Sequence, residues 1–198
     1  MDPAEFYEEC DGEMSYREDP IIRAIYKELK EPINLLIKQK YYRASIILIF
    51  SAMDALANLA RPNDADMNTP QDFKLWVSRY LRISGTDAKI TPEDWWSARN
   101  AYIHTHSPFS RDTESNKAGY VIFAWGNVPV WHNPKNPEMV VVNIPTFRDA
   151  FFQGIDNFVI EAFASANEER RKVLEERLNK MSVSMSKEEM ERKYNRTG

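Results

Sequence analysis

The sequence contains a single cysteine and only 6 glycines among its 198 residues. One cysteine, Cys10, excludes an intrachain disulfide framework and a cysteine-rich zinc site. The scarcity of glycine argues against a phosphate-binding loop, and neither G-x-x-x-x-G-K-[S/T] nor G-x-G-x-x-G occurs in the chain. The chain therefore lacks the usual signatures of a disulfide-rich secreted domain and of a nucleotide-binding enzyme.

A long membrane span and a leader pattern are also lacking. The most apolar run, residues 44–59, is shorter than the roughly 20 residues of a membrane span and is interrupted by Asp54. The first residues are acidic, whereas a signal peptide opens with a basic segment. With 43% hydrophobic residues, the composition is that of a globular protein. We therefore expect a soluble, cytoplasmic protein without membrane attachment.

The chain has no excess of positive charge, since its formal net charge is −4. Residues 1–19 hold eight acidic residues against Arg17 alone, which leaves 25 basic and 22 acidic residues in the rest of the chain. The acidic total disfavours tight non-specific binding to duplex DNA. The uneven distribution still permits a basic surface that faces RNA. We predict that residues 1–19 form a flexible acidic tail.

Helical periodicity dominates the first half of the chain after this tail. Apolar residues recur at helical spacing over residues 22–36, and Pro32 predicts a kink or a junction of two helices near Glu31. Residues 42–60 are apolar on nearly every face, which predicts a central helix buried by neighbours on several sides or by a subunit interface.

Two helix starts have the same local chemistry, Thr69-Pro70-Gln71-Asp72 and Thr91-Pro92-Glu93-Asp94. In each, a threonine caps the helix, proline occupies the first helical position, and an acid lies near the positive helix end. The second helix should end near His104, because Thr105-His106-Ser107-Pro108 disfavours its continuation.

The second half changes to the period-two pattern of β-strands. We expect an exposed loop at residues 105–118, then a β-hairpin in which residues 120–125 and 128–131 flank Gly126-Asn127, with a third strand at residues 139–142. Thr146 should open a long helix that becomes a charged, solvated extension from Asn167.

The predicted fold is mainly α, an antiparallel helical bundle with a small β-hairpin or sheet insertion at about 119–143 before the long C-terminal helix. Residues 20–180 should form a single domain and residues 181–198 a flexible tail.

The segment Trp95-Trp96-Ser97-Ala98-Arg99-Asn100-Ala101-Tyr102-Ile103-His104 concentrates the reactive side chains of the chain. Asn100 and His104 share one helix face, and Arg99 lies about 140° away but has a side chain long enough to swing round. Two copies related by a twofold axis would form a cleft with two imidazoles, two guanidinium groups and two amides. Such a cleft suits RNA cleavage, because histidine transfers protons near neutral pH and arginine stabilises the charge on phosphate.

The sequence Arg99-Asn100-Ala101-Tyr102-Ile103-His104 resembles the R-x4–6-H signature of HEPN domains, including the polar residue after the arginine. The resemblance extends over about residues 20–165 through the order of helices, although the insertion at 119–143 is not a general feature of that family. It implies a dimerising helical bundle with a composite, metal-independent endoribonuclease site that leaves 2′,3′-cyclic phosphate and 5′-hydroxyl ends.

The resemblance also implies residue roles and partners. Arg99 would stabilise the phosphate, His104 would be the acid–base residue, and Asn100 the polar accessory. The implied partners are an RNA substrate, a second copy of the chain and an antitoxin or inhibitor protein, with no cofactor and no metal. The implied context is toxin–antitoxin or antiviral defence.

Several alternatives remain open at the level of sequence. Asp54 is either a polar group that is satisfied or lies on an exposed face, or a carboxylate that supports the site. The motif itself is either catalytic or only a helix cap. His132 is interpreted as structural, His106 as no part of a metal site, and Trp125 or Trp131 as candidates for stacking on a base. The alternative function is a non-catalytic HEPN-like module that dimerises and binds a protein partner or a nucleotide.

Overall fold

The chain is mainly helical, with one small sheet inserted before its long penultimate helix. The computed structural model describes residues 22, 25–62, 68–84, 86–162 and 168–181, so the predictions for residues 1–19 and 182–198 lie outside the described residues. The elements are a π-helical turn (Tyr26–Lys30), α1 (Glu31–Lys38), α2 (Tyr42–Ala60), α3 (Pro70–Tyr80), α4 (Pro92–His104), α5 (Arg111–Glu114), β1 (Tyr120–Ala124), β2 (Trp131–Asn133), β3 (Asn136–Asn143), α6 (Ile144–Ala162) and α7 (Glu168–Met181).

The helical geometry changes at Glu31, as Pro32 predicts. The π-helical turn ends at Lys30, and α1 begins at Glu31 with Pro32 as its second residue. Proline has no backbone N–H to continue the preceding hydrogen-bond series, so the wider π turn meets the α-helix there.

The central helix α2 occupies the predicted residues and packs against several others. It contacts α1, α3, α4, α6 and α7, and Ile49, Phe50, Met53 and Leu56 have no exposed surface. By length and hydropathy α2 would also qualify as a membrane span, a property shared by core helices of soluble proteins, and half of its apolar window is buried inside the protein.

Both predicted capping motifs are confirmed. The Thr69 hydroxyl accepts a hydrogen bond from the Asp72 amide, and the Asp72 carboxylate accepts one from the Thr69 amide at 2.8 Å. Thr91 and Asp94 repeat this exchange at the start of α4. Each exchange satisfies two backbone donors that have no partner inside the helix.

The sheet differs from the predicted hairpin. The strand order is β1-β3-β2, with β1 parallel to β3 and β2 antiparallel to β3. The predicted hairpin across Gly126-Asn127 is therefore wrong, although the third strand is confirmed and is in fact the central one. Gly126 has a φ of 90° and its carbonyl accepts a 2.6 Å hydrogen bond from the Asn143 side chain, so this segment crosses the end of β3.

The physical reason lies in the apolar pattern of β3. Val140 and Val142 are buried, and they pair in register with the buried Val121 and Phe123 of β1. This pairing joins two apolar faces into one surface against the helices, whereas β2 is mostly exposed and pairs at the outer edge.

The sheet and the helices share one aromatic core. The Phe147 ring of α6 stacks on Trp95 of α4 at 5.0 Å with an interplanar angle of 7°, and it lies 4.8 Å from Phe123 of β1 and 5.5 Å from Phe50 of α2. Four elements distant in sequence therefore meet at one side chain, which fixes the position of α4 relative to α2.

Two further predictions need correction. Residues 105–118 are not simply an exposed loop, because Ser110 caps α5, Thr113 is buried, and the Ser110 hydroxyl lies 2.6 Å from that of Ser97 on α4. The long helix begins at Ile144, before Thr146, where the Asn143 side chain accepts a hydrogen bond from the Thr146 amide.

The charged helix α7 packs on the protein and is more than a solvated extension. Leu174 is 1% exposed, and Arg170 and Arg177 donate hydrogen bonds to backbone carbonyls at the end of α2, those of Leu59, Ala60, Arg61 and Pro62. Guanidinium groups satisfy helix-terminal carbonyls and interact favourably with the negative helix end. The predicted i,i+4 pairing is present at Arg171 and Glu175.

Tyr80 at the end of α3 gives the fold a pH dependence in the alkaline range. The pKa of Tyr80 is raised to about 12, mainly because the phenol is buried and secondly because it donates a hydrogen bond to Glu161. In the unfolded chain tyrosine ionises near pH 10, so the unfolded state loses its proton first and the Tyr80 contribution to stability falls between about pH 10 and about pH 12. The free energy of unfolding of the unaltered protein, relative to that of Tyr80→Phe, should therefore fall by about 1 kcal/mol between about pH 9 and about pH 11. Urea unfolding at both pH values measures this, and a constant difference would contradict it.

Candidate functional site

The motif residues lie in the C-terminal half of α4, opposite the middle of α2. The two helices run antiparallel, because Asp54 of α2 contacts Arg99 of α4 while the earlier Phe50 contacts the later Tyr102. The packing of Phe50 on Tyr102 therefore fixes the axial register of the two helices, and this register brings Asp54 level with Arg99.

The Arg99 guanidinium joins the three sequence-predicted site residues within one chain. Its Nη1 donates to Asn100 Oδ1 at 2.9 Å and lies 3.2 Å from His104 Nε2. Its Nε and Nη2 donate to Asp54 Oδ2 at 2.8 and 2.5 Å. The guanidinium carbon also lies 5.2 Å from the centre of the Trp96 ring, within cation–π range. Arg99, Asn100, His104 and Asp54 therefore form one connected polar cluster.

Asp54 is the member of this cluster whose role the sequence left open. Its side chain is 23% exposed and that of Arg99 is 19% exposed, so this ion pair is more shielded than a typical surface pair. A carboxylate is the acceptor that best orients a guanidinium, because it takes two donors in one plane. In the structure the Asp54 carboxylate is satisfied by Arg99, and the same contact holds a residue of the motif in place. The sequence signal was an isolated acid on an otherwise apolar helix.

The 3.2 Å contact between Arg99 Nη1 and His104 Nε2 fits the neutral imidazole whose proton is on Nδ1. Arginine only donates hydrogen bonds, so in this tautomer Nε2 is the acceptor. His104 is exposed and is the last residue of α4. The Thr105 amide donates to the Ala101 carbonyl at 2.9 Å, and the Thr105 hydroxyl donates to the same oxygen at 2.7 Å. These bonds close the helix immediately after the histidine and leave the imidazole at an open helix end.

The other two histidines are separate from this cluster. His132 accepts a hydrogen bond from the Lys89 amide at 3.2 Å, which supports its structural interpretation. His106 lies beside the N-terminal end of α2. Within the described ranges, no group of three or more His, Cys, Asp or Glu side chains has the arrangement of a metal site.

No protein-family model, curated protein or solved structure matches this chain.

The Asp54–Arg99 pair should be energetically coupled. In a double-mutant cycle of unfolding free energies with Asp54→Asn and Arg99→Gln, we expect a coupling of about 1–3 kcal/mol, because both charges are shielded and hydrogen-bonded. The pair Arg148–Asp149 is the control, since its carboxylate is far more exposed, with 64% of the Asp149 side chain open to solvent. Its cycle with Arg148→Gln and Asp149→Asn should give less than about 1 kcal/mol. Equal couplings in the two cycles would refute the shielding argument.

Proposed function

We propose that this chain is a HEPN-like endoribonuclease that cleaves RNA without a metal ion at a composite site of two subunits. The observation that carries the proposal is the single guanidinium, Arg99, held by Asp54 and directed at both Asn100 and His104. The helical bundle that presents it, with α2 packed antiparallel to the motif helix, supports the same assignment. We further propose a role as a toxin or antiviral effector, with an antitoxin or inhibitor protein as its regulator.

The cluster is built so that a phosphate can replace two of its internal contacts. Arg99 has five N–H groups, and its contacts to the described residues use four of them. The two donors on Asp54 fix the plane of the guanidinium. The two donors of Nη1, which reach Asn100 and His104, are the ones that a phosphate oxygen can take over. Asp54 therefore acts as a positioning residue, while Arg99 is the group that touches the substrate.

The reaction transfers the phosphoryl group within the RNA chain. The 2′-oxygen forms a bond to phosphorus as the bond between phosphorus and the 5′-oxygen breaks. A base removes the proton of the 2′-hydroxyl, and an acid gives a proton to the departing 5′-oxygen. His104 Nε2 has a lone pair that can accept the first proton, and Arg99 stabilises the charge that develops on the phosphate oxygens. The products end in a 2′,3′-cyclic phosphate and a 5′-hydroxyl, so no water molecule is consumed.

The need for both an acid and a base supports a homodimer. One motif supplies one imidazole, and the described part of the chain places neither His106 nor His132 in contact with Arg99 or His104. A second copy facing the first across a twofold axis brings a second His104, so that one ring is the base and the other the acid. The exposure of His104 at the end of α4 makes it accessible to such a partner.

One observation favours a second candidate function, the non-catalytic interaction module. The Asp54 carboxylate neutralises the charge of Arg99, which weakens attraction of a phosphate from a distance. In this alternative the cluster ties α2 to α4, and the chain dimerises and binds a protein or nucleotide without cleaving RNA.

A cleavage assay separates the two candidates. Purified protein, Arg99→Ala and His104→Ala are each incubated with mixed RNA in EDTA, and the ends of the products are analysed. Cleavage by the unaltered protein alone, leaving cyclic phosphate ends, supports the enzyme. Equal trace activity in all three preparations would indicate contamination and reject the enzyme. Full activity in a fraction shown by sedimentation to be monomeric would instead reject the composite site of two subunits.

A further inference from the structure

An open cleft of about 580 Å³ lies at the N-terminal end of α2, next to the loop that follows the motif helix. Its lining residues come from the turn before α2, the first turns of that helix and the loop after α4; they are Lys40, Tyr41, Tyr42, Arg43, Ala44, Ile47 and His106. The proposed catalytic cluster does not use any of these side chains. The cleft is therefore a separate feature of the same face of the molecule.

Two exposed aromatic rings lie at the cleft or next to it, since Tyr41 lines the cleft and Trp125 stacks on the lining residue Tyr42. Tyr41 is 62% exposed and Trp125 is 64% exposed, both far more than the buried rings of the core. The Trp125 ring stacks on Tyr42 at 5.5 Å with an interplanar angle of 14°. Tyr42 therefore supports one face of the indole, and the exposed remainder of Trp125 is available to a flat ligand. A supported, exposed ring is the usual platform on which a nucleobase stacks.

The charges around this cleft are of one sign. Lys40 and Arg43 are exposed, and His106 adds an imidazole, whereas no carboxylate is among the described lining residues. A chain with more acidic than basic residues overall thus has a locally basic surface at this position. Basic side chains interleaved with aromatic rings match a backbone of phosphates with bases that are free to stack.

The chain adopts the left-handed conformation at two residues that line the cleft. Lys40 has a φ of 62° and His106 a φ of 54°, and among non-glycine residues in the described ranges only Asn116 shares this left-handed conformation. Each residue directly follows the C-cap of a helix, Gln39 of α1 and Thr105 of α4, which is a common place for this conformation. The two turns lie at the same end of the α2–α4 pair, and both Lys40 and His106 line the cleft there.

The cleft lies close enough to the motif for one nucleotide strand to reach both. His106 follows His104 by two residues, and Ile47 precedes Asp54 by two turns of α2, about 10 Å along its axis. A nucleotide strand held at the Arg99–His104 cluster can therefore extend along α2 to the cleft. Duplex RNA is less suited to this path, because its bases are paired and cannot stack on Trp125.

We propose that this cleft binds the nucleotides of single-stranded RNA that flank the cleaved bond, with a base stacked on Trp125 and phosphates contacted by Lys40 and Arg43. This inference rests on the proposed ribonuclease function, and it names single-stranded RNA as the substrate class and the surface that recognises it.

The test measures binding separately from cleavage. The full chain with His104→Ala is titrated against a fluorescent single-stranded RNA of about 12 nucleotides, a length within the range covered by known single-strand sites. Adding Trp125→Ala should weaken binding by about 5- to 100-fold, the effect of one lost stacked base. Adding Arg43→Ala should weaken it and lower the slope of log affinity against log salt by about 1. Trp131→Ala is the matched control, because Trp131 is an exposed tryptophan, 38%, on β2 that neither lines the cleft nor stacks on a lining residue among the described ring contacts, and it should leave the affinity unchanged.

The outcomes distinguish this inference from the proposed enzyme. Affinity that neither Trp125→Ala nor Arg43→Ala reduces overturns the cleft assignment even if the unaltered protein cleaves RNA. Loss of affinity in both variants, with folded dimers by circular dichroism and sedimentation, supports it even if cleavage fails. Equal or tighter binding of a duplex of the same sequence overturns it. Conversion of both variants to monomers would identify the cleft as an interface between copies, which also overturns it.

Discussion

Replacing His104 by alanine is expected to slow RNA cleavage by about 10²- to 10⁴-fold, the range for loss of a positioned acid–base group. The imidazole is exposed at the end of α4, so its removal leaves the core intact and the melting temperature nearly unchanged. Its Nε2 is already oriented by Arg99 at 3.2 Å, and no other histidine in the described ranges contacts that guanidinium. The measurement is the initial rate of cleavage of a fluorescent RNA in EDTA.

The control for this prediction is His132→Asn, which removes an exposed histidine from β2 while keeping an acceptor for the Lys89 amide. It should retain the full cleavage rate. Arg99→Lys provides a second comparison, because lysine keeps the charge but cannot bind Asp54 and a phosphate with a rigid fork of donors. We expect it to be strongly impaired. A His104→Ala preparation that cleaves as fast as the unaltered protein would refute the assignment of His104.

Replacing Phe147 by alanine is expected to lower the free energy of unfolding by about 3–5 kcal/mol, the range for truncating a buried phenylalanine. Phe147 is fully buried, and its ring contacts aromatic rings from α2, α4 and β1. The cavity left by the substitution would lie between the sheet and the helices. Since these contacts also hold α4 against α2, the Arg99–Asp54 contact should loosen with them. Chemical denaturation monitored by tryptophan fluorescence measures the loss of stability.

Phe109→Ala is the matched control for this substitution. Phe109 is 53% exposed and makes one edge-on contact, with Tyr120 at 5.6 Å. Its truncation removes little buried area and should lower stability by less than about 1 kcal/mol. If Phe109→Ala and Phe147→Ala were equally destabilising, Phe147 would not be the central contact of the core.

The elements that could be predicted from the sequence are those set by neighbouring residues. The capping boxes at Thr69 and Thr91 each lie within four consecutive positions, and they begin α3 and α4 at the predicted residues. The bounds of α2 follow from a run of helix-forming apolar residues that ends before Pro62. These signals are local, so the remainder of the chain does not alter them.

The elements that could not be predicted depend on contacts between distant residues. Gly126-Asn127 has the composition of a hairpin turn, yet β1 pairs with β3 because Val121 and Phe123 find the matching apolar positions Val140 and Val142 there. The charged pattern of α7 indicates a solvated helix, yet its arginines reach the carbonyls at the end of α2. In both cases a tertiary partner outweighs the local preference.

The candidate site divides in the same way. The sequence by itself determined that Arg99, Asn100 and His104 lie together at the end of one helix, because their spacing and the capped start of α4 depend only on local chemistry. Only the tertiary structure decided that Arg99 turns across α4 toward His104 and that Asp54 holds it there, since Asp54 lies 45 residues away along the chain. The packing of Phe50 on Tyr102 and of Phe147 on Trp95 sets the register between α2 and α4, and this register brings the carboxylate to the guanidinium.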